Sequence, residues 1–319
     1  MRSALVGRLI RLVVTLLAVT FFTSMVFELL PGDPALAVVG ADTFNVTPET
    51  IEAARQQLDL DEPPPVRYVE WLGNAVTGDL GSSYRTRQPV VDAITERLPV
   101  TLQLMVMAQV FALGFALVVA PLAALRPGRL YDRATTTVSF GLLAVPTFIG
   151  GLIVVYVVAV RFEWLPATGY THLTDDPVEN LKSLLLPAIT LAAPEAAVYA
   201  RLLRSEMVTT LQEDYILMAR ANGLPTWRVL LRHALKPSSF SLLTIMGISV
   251  GTLVGGSVIV ESLFGLPGLG RLAVDSVTNR DLVTVQGVVA LVTVGYVIVN
   301  FLVDILYVVA DPRLRRVGG

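Results

Sequence analysis

The sequence predicts an all-α polytopic membrane protein with six transmembrane helices and a small helical extracytoplasmic insertion. Three observations predict it. Apolar residues make up 54% of the 319 and charged residues only 16%, whereas soluble domains carry about 25% charge. Six stretches reach the roughly 20 apolar residues that span about 30 Å of hydrocarbon. Finally, fifteen of the 24 Lys and Arg fall in the pieces that an inside N-terminus places in the cytoplasm, which is the positive-inside pattern. An even number of spans then puts both termini inside.

The spans run over 9–30, 100–125, 134–160, 184–203, 240–263 and 283–310. The first follows Arg2, Arg8 and Arg11 and is too long for a secretory signal core, although Ala35-Leu36-Ala37 formally fits a cleavage site. Residues 1–30 thus form the cytoplasmic end and first span, 31–97 an extracytoplasmic helical segment, 98–310 the membrane core and 311–319 a cytoplasmic tail. The third span is read as one helix. The fourth is the weakest, because Pro187 and Pro194 interrupt it.

The extracytoplasmic segment opens with a turn cluster, Pro31-Gly32-Asp33-Pro34. Thr47-Pro48-Glu49 reads as a helix start, and Pro63-Pro64-Pro65 ends that helix. Tyr68, Trp71 and Leu72 give a second helix one apolar face, and Gly78, Gly81 and Ser82-Ser83 mark a loop. Between spans five and six lies Phe264-Gly265-Leu266-Pro267-Gly268-Leu269-Gly270. It is either a re-entrant turn or an apolar loop packed under the insertion.

Catalytic chemistry is missing from the sequence. There is no cysteine, and the two histidines, His172 and His233, lie far apart. Neither lysine, Lys182 nor Lys236, follows a glycine, so no phosphate-binding P-loop exists. Gly247-Ile248-Ser249-Val250-Gly251 matches a serine-hydrolase pattern, but it sits inside a span, not at a strand-to-helix turn. The chain is expected to be no enzyme and to carry no cofactor of its own. A net charge of −2 offers nothing to nucleic acid. Acids within spans are functional candidates by their cost alone: Glu28, Glu195 and Asp304, the last one turn after Asn300. Each has a structural alternative, pairing within the bundle.

The most informative stretch is the cytoplasmic loop 204–239. Gln212 to Ala221 is helix-forming, with Glu213 and Asp214 at its positive end. Asn222-Gly223 stops it, and Pro225 starts a second helix. That helix has a stripe of Trp227, Leu230, Leu231, Ala234 and Leu235, and Pro237 is expected to end it. A basic amphipathic helix can lie on lipid headgroups or dock on a partner; the glycine turn favours docking.

The run Asp214-Tyr215-Ile216-Leu217-Met218-Ala219-Arg220-Ala221-Asn222-Gly223-Leu224 resembles the "EAA" loop of ABC importer permeases, and within them the dipeptide, oligopeptide and nickel subfamily. The resemblance extends along the chain. It includes Leu29-Leu30-Pro31-Gly32-Asp33-Pro34, Gly78-Asp79-Leu80-Gly81-Ser82-Ser83-Tyr84, Glu96-Arg97-Leu98-Pro99, Leu186-Pro187-Ala188, Pro267-Gly268-Leu269-Gly270-Arg271-Leu272, Val285-Gln286-Gly287 and Asp311-Pro312-Arg313. The long first outside segment resembles that of the B-type subunit. There are departures: Leu217, Met218 and Ala219 stand where the loop pattern has Glu-Ala-Ala, and Pro237 falls one residue late.

The resemblance implies a type I importer permease. Its partners would be a second homologous permease, two ATPase domains on one or two chains, an extracytoplasmic substrate-binding protein and membrane lipid, with ATP and Mg bound by the ATPases. It implies ATPase contact by Glu213, Asp214, Tyr215, Ala219, Arg220, Gly223 and Leu224, and a cargo of peptides, glutathione or nickel chelates. The competing reading is a self-sufficient proton-coupled carrier working through Glu195 and Asp304.

Overall fold

A computed structural model of the chain describes residues 2–28, 35, 47–57 and 60–310. Among the described residues every regular element is helical: α1 Arg2–Glu28, α2 Pro48–Gln57, α3 Pro64–Val76, α4 Val90–Ala124, α5 Leu130–Ala144, α6 Thr147–Val154, α7 Pro177–Thr210, α8 Asp214–Ala221, α9 Thr226–Phe264, α10 Leu269–Thr278 and α11 Leu282–Ala310. Helix α6 continues as a π-helix over Val155–Arg161.

Four of these, α4, α7, α9 and α11, are long and apolar enough to cross a membrane, or five counting α5 and α6 as one broken span. The expected first span appears as a shorter apolar stretch, Val13–Val26 of α1. The third span is not the single helix expected. Its halves meet at 107°. Pro146 is the reason: it disfavours helical backbone at the residue before it, and Val145 is extended at φ −86°, ψ 121°.

The fourth span departs in the opposite sense. Helix α7 is unbroken over 34 residues despite Pro187 and Pro194, and it is deeply buried. Surrounding helices tolerate what an isolated helix would not, since neighbours re-satisfy freed backbone groups. Asp176 caps the helix, accepting the Val178 and Glu179 N–H groups at 2.9 and 3.1 Å.

The chain divides into two compact units, one of residues 1–100 and 267–298, the other of 101–266 and 299–319. In the first, α3 lies on α1: the Tyr68 ring is buried edge-on to Phe21, and its hydroxyl bonds Thr20 Oγ1 at 2.9 Å. The core of that unit joins Val90 and Ile94 of α4, Leu269 of α10 and Val288 of α11.

In the second unit the buried side of α4 is a line of alanines, Ala108, Ala112, Ala116 and Ala120. Its opposite side, Val106, Val110 and Val118, is exposed. The i, i+4 repeat puts each set on one face. The outward valines suit lipid as solvent. The Phe264–Gly270 stretch leads from the end of α9 into the start of α10. Leu266 is fully buried, and its N–H donates to the Glu261 carbonyl at 2.9 Å, closing α9.

Candidate functional site

Helix α8 forms where the sequence places it, two residues shorter at its start. Glu213 precedes it in extended conformation, and its carbonyl accepts the Ile216 and Leu217 N–H groups. Asp214 in the first turn and Arg220 in the last both complement the helix dipole. At the far end the Leu224 N–H reaches Ala219 O at 3.2 Å and the Gly223 N–H reaches Arg220 O at 2.9 Å. That 6→1 and 5→2 pair is a Schellman stop. Gly223 sits at φ +78° with open space around it, so backbone conformation alone demands glycine there.

Each residue of α8 faces one way or the other. Ile216 and Ala219 are buried, while Tyr215, Leu217 and Met218 are exposed, Met218 by 64%. Ala219, expected at the docking surface, is therefore turned inward, on the side of α8 away from solvent. Glu213, Asp214, Arg220 and Gly223 are exposed and Leu224 half-buried. Leu217 and Met218, which stand in the sequence only as departures from the Glu-Ala-Ala pattern, form the outward apolar surface. Two large apolar side chains on an exposed face were the available signal.

The second helix of the loop corrects the sequence reading. It does not end at Pro237 but runs on as α9 into the span. The supposed single stripe divides: Leu230 and Ala234 are buried, whereas Trp227 and Leu231 are exposed, with Arg228 over the Trp227 ring at 5.3 Å. A π-helical segment, Val229–Ala234, causes the division, because its wider turn breaks the 3.6-residue phase. Beyond it, Ser238 Oγ donates to Ala234 O at 2.9 Å and shares a hydrogen bond with Thr210 Oγ1 at 3.1 Å. The Tyr215 hydroxyl donates to His233 O at 3.2 Å. Partial desolvation at this contact and then the nearby Glu213 charge push its pKa up, which keeps the phenol a neutral donor.

Of the intramembrane polar candidates, the side chains of Glu195 and Asn300 are described. Glu195 is buried on α7, where its Oε1 accepts the Thr252 hydroxyl of α9 at 2.6 Å. One turn on, Tyr199 bonds Ser249 and Gln109, so a polar line ties α4, α7 and α9. Asn300 is half-buried on α11, and the side chains of Glu28 and Asp304 lie outside the described residues. The sequence reading missed a further buried acid: Glu261, fully enclosed on α9, accepts the Thr101 hydroxyl at 2.7 Å. Among the described residues no group of His, Cys, Asp or Glu could hold a metal ion.

Residues 112–316 match the family described as "Binding-protein-dependent transport system inner membrane component", and residues 1–105 match its N-terminal family. The chain belongs to that family. This permease is 38% identical over 315 residues, 99% of both chains, to the "Putative peptide transport system permease protein" of Brucella abortus (strain 2308). It is 36% identical over 315 residues, again 99% of each, to the glutathione transport system permease protein GsiC of Escherichia coli (strain K12). As a member it is an inner-membrane component and a non-catalytic permease subunit, at work in ABC transporter complexes with an ATPase and a binding protein. That assignment sets aside the self-sufficient carrier.

Proposed function

We propose that this permease forms half of the translocation pore of an ATP-driven type I importer for small peptides, glutathione among them. The relatives named for peptide and glutathione transport, similar over nearly their whole length, support that substrate class. A second homologous permease completes the pore. Two ATPase domains, on one chain or two, bind the ATP and Mg, and this chain carries no cofactor. Six crossings place both termini in the cytoplasm, α1 and the bent α5–α6 pair each crossing once. Residues 31–97 stand outside, where the binding protein delivers cargo.

The observation that carries the reading is the two-faced α8. Ile216 and Ala219 are buried while Leu217 and Met218 project outward, with Trp227 and Leu231 also exposed and Arg220, Arg228 and Arg232 in the same loop. An exposed apolar surface among charges is the composition of a protein-docking patch. Closure of the ATPase pair displaces α8 and switches the pore between inward-open and outward-open, because contact with α8 differs in the two ATPase states. Met218→Asp tests this. The variant inserts at normal levels, no longer co-purifies with the ATPase, and loses uptake. Normal co-purification and uptake would remove the docking role.

A further inference from the structure

Helix α9 begins inside the cytoplasmic loop and continues as a span, so its first turns decide how movement of α8 reaches the membrane. Its hydrogen-bond ladder is disturbed there twice. Across Val229–Ala234 it is wound as a π-helix, and the Leu235 N–H reaches back to Leu230 O. Two residues further on, Pro237 has no N–H. In an α-helix the residue at 237 would donate to the carbonyl of His233. A π-turn followed by a proline is where a helix bends. The one hydroxyl that α8 sends across reaches that same carbonyl: Tyr215 Oη lies 3.2 Å from His233 O.

We infer that Tyr215 is a positioning residue whose hydroxyl takes the place of the N–H that Pro237 lacks, clamping α8 to the interrupted start of α9. With the clamp closed, displacement of α8 turns the span. With it open, the π-turn absorbs the movement. The inference rests on the proposed role of α8 and adds to it the path by which force enters α9. The second tie, Thr210 to Ser238 at 3.1 Å, holds the end of α7 to the same turn of α9. Tyr215 is 45% exposed. Water can therefore replace its hydroxyl at little cost in stability, but a water molecule holds nothing in place. Loss of the hydroxyl is accordingly a loss of transmission, not of folding.

The absence of cysteine makes labelling direct. Spin labels at Ala221 on α8 and Ile248 on α9, both exposed, are read in the complete complex of both permeases, ATPases and binding protein in liposomes. Uptake of labelled glutathione per ATP hydrolysed is measured in the unlabelled complex. Tyr215→Phe is expected to assemble normally, to broaden the label distance distribution, and to lower uptake per ATP about three- to ten-fold, the worth of one net hydrogen bond. Adding Pro237→Ala restores both quantities, because the alanine N–H reaches His233 O. An unchanged distribution in Tyr215→Phe overturns the clamp. So does a defect that persists in the double variant, which would place the role in the ring. Failure of the docking reading is read separately, from Met218→Asp, which leaves the Tyr215 and Pro237 results to stand or fall alone.

Discussion

Arg204 donates from Nε and Nη2 to the two carboxylate oxygens of Asp132, the side chain of Asp132 being 5% exposed and that of Arg204 29%. The pair ties the first turn of α5 to α7. Asp132 Oδ2 also accepts the Gly128 N–H at 2.7 Å, so one carboxylate fixes the short α4–α5 connection as well. The two ends of the pair are unequally solvated, and that predicts an order. Arg204→Ala leaves a buried carboxylate with one backbone donor. Asp132→Ala leaves a guanidinium that water can reach. Breaking a fully buried pair costs about 3–5 kcal/mol and an exposed one ~0–1 kcal/mol. Arg204→Ala should fall toward the upper range and Asp132→Ala below it, with the double variant recovering part of the loss. Thermal unfolding of the detergent-purified complex checks the order; a larger loss for Asp132→Ala would show that the carboxylate is not the isolated partner.

Much of this was legible in the sequence because it depends on local chemistry. The Asn222-Gly223 stop, the Pro48 helix start and the apolar face around Tyr68 are set by residues within a turn of one another. The misreadings share one cause. Pro146, Pro187, Pro194 and Pro237 look alike in sequence, yet only Pro146 separates two helices. What distinguishes them is their surroundings: Pro187 and Pro194 lie in the deeply buried α7, and the Tyr215 hydroxyl reaches the carbonyl that faces Pro237. That is a property of packing, not of the proline. Glu261 was missed for the related reason that its partner, Thr101, lies 160 positions away. The docking surface was half legible: the loop was found, but the inward turn of Ala219 depends on the phase of α8 against the bundle.

Gly287 on α11 carries the second prediction. A Cβ built there would lie 2.5 Å from Val90 Cγ1 and 3.5 Å from Leu80 Cδ1. Val90 is fully buried and β-branched, so its rotamers offer little escape. Gly287→Ala should therefore cost about 1–3 kcal/mol by overpacking the core of α4, α10 and α11, despite the higher helix propensity of alanine. Val90→Ala in the same chain removes the obstructing methyls and should recover part of the loss, giving a coupling larger than the ~0.5 kcal/mol of independent sites. The melting temperatures of the two single variants and the double variant decide this; strict additivity would mean that the helices separate instead of clashing.

Asp281, just before α11, gathers the loop 77–89 onto that helix. Its Oδ2 accepts the Ser83 hydroxyl at 2.5 Å and the Thr284 hydroxyl at 2.7 Å, and its Oδ1 accepts the Tyr84 N–H at 3.3 Å. All these donors converge on one buried carboxylate, and an amide cannot replace it. Asn presents one oxygen and an NH2 group, so whichever way it is turned the donors on one of the two oxygen positions, the hydroxyls or the Tyr84 N–H, lose their acceptor at about 1–3 kcal/mol. The loop also carries Arg85 and Arg87, both exposed, which makes its release measurable by trypsin. Asp281→Asn should speed cleavage at these arginines in sealed spheroplasts several-fold, while the α8 loop, on the opposite side of the membrane in the proposed topology, stays protected. Ser83→Ala removes a donor and leaves the carboxylate its other partners, so it should speed cleavage less. Equal rates for Asp281→Asn and the unaltered chain would mean that the loop is held by its apolar contact through Leu80 and not by the carboxylate.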